Sequence, residues 1–242
     1  MEDPKQGKAA RELFANAKIL LGQIIENRHL RANAVYGFFR ANSDVDDIVF
    51  FREDGKNELA RFCTLRQQRI LSDDKPTYAL ADFVAPLSSG REDYVGAFAV
   101  TSGLGIEELV ARFEREQDDY HVILAKALAD RLAEAFAEKL HEQVRNEWGL
   151  GIRPAVGYPV WPDHSDKKIL FELLKVPERA NIQLTENFAM RPAASVSGFF
   201  LSHPESRYFS VGPIGRDQLA NYAKRKGIGV SEAQRWLQNN IS

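Results

Sequence analysis

From Ile106 to Trp148 the chain contains no proline and no glycine. A run of that length without a helix breaker, rich in alanine, leucine, glutamate and arginine, commits the region to helix. Leu109, Phe113, Tyr120, Ile123, Leu124, Ala127, Leu128, Leu132, Ala135, Phe136 and Leu140 recur near a period of 3.6 and mark an apolar face. The run reads as one long helix, or as two joined near "EQDDY" (116–120). Such a helix needs a long apolar surface to lie on. The flanking sequence offers strands for that surface.

"VYGFFRAN" (35–42) and "DIVFFRED" (47–54) are β-branched and aromatic, with turn residues between them, and predict an antiparallel hairpin. "LARFCTL" (59–65) is a weaker third strand. "TYALADFVAP" (77–86) and "DYVGAFAVTSG" (93–103) read as a second extended pair, with Gly96 and Ala97 leaving room for a close neighbour. Helices are expected at 6–27, 167–175, 215–227 and 231–240, the last with Ser231 as N-cap, and 182–212 is rich in strand and turn. Strands early and late with a long helix between them make an α+β chain.

Composition narrows the function. The 242 residues, 44% of them apolar, suffice for one large domain, or for one domain with a long arm. A formal net charge of −2 provides no overall basic field for nucleic acid. No apolar run reaches the length of a membrane span, and "MEDPKQGKAA" is not a signal peptide. The single cysteine, Cys63, excludes an internal disulfide and a cysteine-based zinc site. The expectation is a soluble cytoplasmic protein with no nucleic-acid or membrane partner.

Four features could carry chemistry. In "IRPAVGYPVWPDH" (152–164), Pro154, Pro159 and Pro162 stiffen a segment holding Arg153, Gly157 and Tyr158. Arginine is a planar fork for a carboxylate or phosphate, glycine admits close approach to backbone, and tyrosine offers a ring face. The same arginine could instead pair with a core carboxylate. Asp130 and Glu134 share a helix face at i and i+4, either as a docking feature or as a solvated acidic surface. Small residues over 193–198 suit close approach of a backbone or of a flat ligand, or simply a core strand. Tyr208 and Phe209 follow a tight turn at 204–206. His121, His141, His164 and His203 have no metal-ligand spacing, and there is no phosphate loop or nucleophile elbow.

Longer stretches carry a resemblance. "GIRPAVGYPVWPDH", "LTENFAMRPAASVSGFFLSHPESRYFSVGPIGRDQLANYAKRKG", "FFRANSDVDDIVFF", "YALADFVAP", "DYVGAFAVTSG" and "KALADRLAEAFAEKLHEQVR" occur in the order seen in the activation domain of cobalamin-dependent methionine synthase. The chain resembles that domain from about Ala9 to Leu237. The resemblance implies an α+β fold with a bent antiparallel sheet, flanking helices and one long helix. It implies S-adenosylmethionine binding and a part in reductive methylation of oxidised cobalamin, within a methyltransferase of methionine biosynthesis. Cobalamin would be held by a partner domain, and a flavodoxin-type or diflavin reductase would supply the electron. The isolated chain is not expected to be active alone, and no catalytic or metal-ligating residue is expected on it.

By the same resemblance, Arg153, Ala155, Gly157, Tyr158, Tyr208 and Phe209 would form the S-adenosylmethionine site, with Arg153 on the ligand's carboxylate. Asp130 and Glu134 would face the cobalamin domain. Residues 1–242 are read as a single activation domain without the family's N-terminal segment, whose aspartate binds the ligand's amino group, and without an insert before residue 151. The amino group would then lack a charged partner, and affinity would fall about ten- to a hundredfold. The alternative implied is a docking or capping module for the cobalamin domain, with weakened ligand binding.

Overall fold

The long run divides in two. In the computed structural model, which describes residues 6–68, 76–149 and 151–241, α2 (Ile106–Arg115) and α3 (Asp119–Trp148) are separate helices. Gln117 takes a left-handed φ of 56°, and the Asp118 carboxylate accepts from the His121 backbone N–H at 3.0 Å, capping α3. The buried stripe of α3 is only partly the expected one: Leu124 and Leu140 are buried as expected, but alanines make up most of the rest. Ala125, Ala129, Ala133 and Ala137 are buried, whereas Ile123 is 69% exposed and Tyr120 45% exposed. Methyl-sized side chains at i, i+4 steps let the helix backbone lie close to the sheet, where Phe98, Val100, Val196 and Phe200 meet it.

That sheet has five strands: β1 (Arg31–Asp44), β2 (Asp47–Phe51), β3 (Glu58–Cys63), β4 (Tyr94–Leu104) and β7 (Ser195–Phe200). Their order is β3-β2-β1-β4-β7, and every neighbouring pair is antiparallel. The β1–β2 hairpin turns at Val45 and Asp46, as its turn residues predict. Gly96 on β4 sits where a Cβ would lie 2.9 Å from the Phe200 ring, so the aromatic neighbour takes the space glycine leaves. The opposite sheet face packs Phe50, Phe62 and Phe199 against α4 (Asp166–Leu174) and α5 (Val176–Ala180). Helix α1 (Gln6–Glu26) buries Leu20 and Ile24 against α2 and the start of α3.

The 77–86 stretch is not a strand. Leu80–Phe83 forms a 3-10 turn, because Asp82 accepts from the Ala79 N–H at 2.9 Å and is gripped by Arg66 at 2.6 Å and 2.8 Å. This local polar closure outweighs strand pairing while Leu80, Ala81 and Phe83 still reach the core. Residues 182–212 supply only the short pair β5 (Gln183–Leu184) and β6 (Met190–Arg191), and then β7. Helices α6 (Arg216–Lys226) and α7 (Val230–Trp236) close a small core around Tyr222 and Leu237. Gly229, not Ser231, is the N-cap of α7. Among the described residues no helix is long and apolar enough to cross a membrane, and no cluster of His, Cys, Asp and Glu could hold a metal.

Candidate functional site

The proline segment lies along the outer edge of β7. Ile152 and Leu201 exchange backbone hydrogen bonds at 3.0 Å, Phe199 N–H donates to the Pro154 carbonyl at 2.9 Å, and Val156 N–H donates to Ser197 O at 3.1 Å. Proline cannot donate to this ladder, so Pro154 contributes only its carbonyl. Gly198 makes the approach possible: a Cβ there would sit 2.1 Å from the Pro154 oxygen. The small residues of 193–198 therefore serve a backbone neighbour, one of the readings open from sequence.

A tight turn follows. Gly157 takes φ +95°, a conformation that L side chains rarely adopt, and a Cβ on it would meet the His164 ring at 2.3 Å. Its N–H donates to Trp161 O at 2.7 Å, and Trp161 N–H donates to Tyr158 O at 2.8 Å. Beneath the turn, Trp161 Nε1 donates to Asp166 at 2.7 Å, and Lys226 Nζ reaches Asp163 and Asp166, each at 2.6 Å. The Tyr222 hydroxyl adds a bond to Asp163 at 2.6 Å. Burial opposes charge on Asp163, Asp166, Lys226 and Tyr222 alike. Burial wins at Asp166, whose carboxyl is raised to about 6, whereas Lys226 keeps that of Asp163 below its usual value. The segment is thus pinned to β7 on one side and to α6 on the other.

Between this segment, α3 and residues 208–210 lies a cleft of about 510 Å³, lined by Glu134, Arg153, Ala155, Tyr158, Pro159, Val160, Tyr208, Phe209 and Ser210. That volume is within the roughly 300–1,000 Å³ of small-molecule sites. The Arg153 side chain is 13% exposed and lies 3.8 Å from both Glu134 and Glu138, with its guanidinium carbon 5.8 Å above the Phe98 ring. Its Nε is buried without a hydrogen-bond partner. Two loose ion pairs and an unbonded Nε leave the fork able to take a better-fitting oxyanion. The Tyr158 hydroxyl donates to Glu134 at 3.0 Å; burial first, and then Glu134, push its pKa up, so the proton stays on the oxygen. The Tyr208 hydroxyl accepts from the Arg153 backbone N–H at 2.8 Å and fastens the far wall. Phe209 packs between this cleft and the rings of Tyr78 and Phe83.

The structure thus brings together Arg153, Ala155, Tyr158, Tyr208 and Phe209. Gly157 is not on this cleft; it shapes the turn that presents Tyr158 and faces a second cavity. The acidic pair is split. Asp130 is exposed beside Lys126 and residues 192–194, whereas Glu134 is a wall of the cleft. Sequence reasoning placed no carboxylate on the cleft, whereas Glu134 forms part of its wall. Helical spacing places Glu134 on a face but does not reveal that the proline segment crosses that face. Glu138, Val160, Ser210 and the Phe98 ring beneath Arg153 also gave no signal of their own.

The family model for the activation domain of vitamin B12 dependent methionine synthase matches residues 1–227. The chain belongs to this family. A crystal structure of the MetH reactivation domain bound to AdoHcy is similar throughout, with a TM-score of 0.92 and 45% sequence identity over 100% of this chain and 80% of that one. The methionine synthase activation domain is thus the fold in which the cleft occurs: a five-stranded antiparallel sheet with a long helix on one face. Its family is one of methyltransferases that work with cobalamin. In this activation domain the cleft lies where α3, the edge of β7 and the proline segment meet.

Proposed function

We propose that this chain binds S-adenosylmethionine in the Arg153 cleft and presents its methyl group for reactivation of cobalamin held by a partner domain. The observation that carries the assignment is the pairing, in one ligand-sized cavity, of an arginine whose Nε has no partner with a carboxylate already bonded to a tyrosine hydroxyl. An amino acid's own carboxylate and ammonium are complementary to such a pair. Arg153 takes the carboxylate in a forked contact, and Glu134, steadied by Tyr158, takes the ammonium. The Ala155 backbone and the rings of Tyr208 and Phe209 line the remaining length, where an adenine can pack and a sulfonium can lie near a π face. That AdoHcy occupies a 45% identical relative supports the same class of ligand here.

No group on this chain has to act as acid, base or nucleophile for this role. The sulfonium is itself the activated leaving group: the S–CH3 bond breaks as the methyl passes to the acceptor, and S-adenosylhomocysteine departs as a neutral thioether. Cobalamin, when docked, supplies the cobalt that accepts the methyl after one-electron reduction by a flavodoxin-type or diflavin reductase. The chain's residues hold the donor, orient it and exclude water from one side. Asp130, exposed at the rim beside residues 192–194, contributes to the surface for the cobalamin domain. A purely docking module is less well supported, because the cleft keeps both an arginine and an acid.

The experiment combines the purified chain with a cobalamin-binding domain of methionine synthase and a chemical reductant. Cobalt methylation, followed by absorbance, is expected only when this chain and S-adenosylmethionine are both present. Equal methylation without this chain would refute the assignment.

A further inference from the structure

On the other side of the 157–162 turn is a second cleft, of about 950 Å³. It shares Tyr158, Pro159 and Ser210 with the first cleft, and the rest of its wall comes from other elements: the start of α4, the turn at 187–189, and the C-terminal stretch 235–241. That last stretch lies beyond the residues matched by the family model. Among the described lining residues are two cations, Lys167 and Arg235, and no carboxylate.

Lys167 is 4% exposed. Its Nζ is 2.8 Å from His164 Nδ1 and donates to the Phe188 carbonyl at 3.2 Å, and no carboxylate among the described residues pairs with it. Asp163 and Asp166, close by in sequence, are both engaged by Lys226. Buried charges are ordinarily paired, and an ammonium has three protons to place. Two go to His164 and Phe188, and no described residue takes the third. Burial alone pushes the Lys167 pKa down to about 8, the direction expected of an ammonium without a counter-charge. Arg235 supplies a second cation at the outer wall, stacked 4.5 Å above the Trp236 ring, and Asn187 adds an amide.

We infer that this second cleft binds a small molecule bearing an oxyanion, a phosphate or carboxylate, with Lys167 as its buried counter-charge and Arg235 as the outer fork. The Trp236 and Tyr158 rings give the rest of such a molecule an apolar surface. The proposal does not rest on the S-adenosylmethionine reading, since neither Arg153 nor Glu134 lines this cleft.

The test is an amide NMR titration of the whole ¹⁵N-labelled chain with sodium phosphate and, separately, sodium acetate, with sodium chloride at matched ionic strength as the control. Saturable shifts at Lys167, Asn187 and the Trp236 indole are expected from at least one oxyanion. A response to phosphate alone assigns a phosphate-bearing ligand, and a response to acetate assigns a carboxylate. Lys167→Gln should raise Kd by about tenfold or more, and the exposed Arg235→Gln, which should not disturb folding, by about two- to fivefold. Arg153→Ala should leave both titrations unchanged. Shifts that stay linear and unsaturated with both anions, or a Kd unaltered by Arg235→Gln together with Lys167→Gln, would overturn the proposal.

Discussion

Replacing Lys226 with methionine keeps most of the side-chain volume and removes the charge. In the structure that charge is shared by Asp163 and Asp166, each 2.6 Å away with a side chain 1% exposed. The substitution leaves two buried carboxylates facing each other beside Trp161 and Tyr222. Breaking a buried ion pair from one side costs about 3–5 kcal/mol. For a chain of this size each kcal/mol moves the melting temperature by about 2–4 °C, so Lys226→Met should melt about 6–20 °C lower. Calorimetric or circular-dichroism melts at pH 7 provide the measurement. Adding Asp166→Asn removes one orphaned charge and keeps an acceptor for Trp161 Nε1, so the double variant should recover a large part of the loss. A Lys226→Met protein within about 2 °C of wild type would refute the claim that this network pins the proline segment to α6.

Three further outcomes follow from the geometry. Glu134→Gln should weaken S-adenosylmethionine binding by about tenfold, measured by calorimetry, while the melting temperature changes little, because its bonds are at the cleft and not in the core. The His141 pKa is lowered to about 4, by burial first and then by Arg145, from an ordinary value of 6.5. Protonation therefore favours the unfolded chain: this residue's contribution is full above about pH 6.5 and lost as pH falls toward 4, so urea melts of wild type and His141→Gln should converge or cross as pH is lowered through that window. Asp130→Ala should leave folding and S-adenosylmethionine affinity unchanged but weaken association with a cobalamin-binding domain, read by sedimentation or surface binding.

The fold was legible where local pattern and tertiary demand agree. The β1–β2 hairpin carries alternating aromatic and β-branched residues, and the helical run has no breaker. The sequence misled where a polar contact distant in sequence decides the outcome. The 77–86 stretch alternates like a strand, yet Arg66 closes it into a turn through Asp82. Helix α3 has enough leucine and isoleucine to suggest one apolar face, but contact with the sheet turns Ala129, Ala133 and Ala137 inward with Leu140 and leaves Ile123 exposed. At the site, Arg153 and Tyr158 could be picked out because prolines bracket them. Glu134 was picked out only as half of an acidic pair facing a partner, because only the crossing of the proline segment over α3 makes it part of a cleft. Gly157 was read as a point of ligand approach to the Arg153 cleft; it lies instead in the turn beside that cleft, where its positive φ is needed, and faces the second cavity.

The central claim is that the Arg153 cleft holds S-adenosylmethionine by its amino-acid end. Titration calorimetry of S-adenosylmethionine into wild type, Arg153→Ala and Arg153→Lys tests it most directly. Saturable binding by wild type is expected, with affinity at least about tenfold lower in Arg153→Ala and only partly restored in Arg153→Lys, whose point charge cannot make the forked contact. Equal affinity in wild type and Arg153→Ala, or no binding by folded wild type, would contradict it.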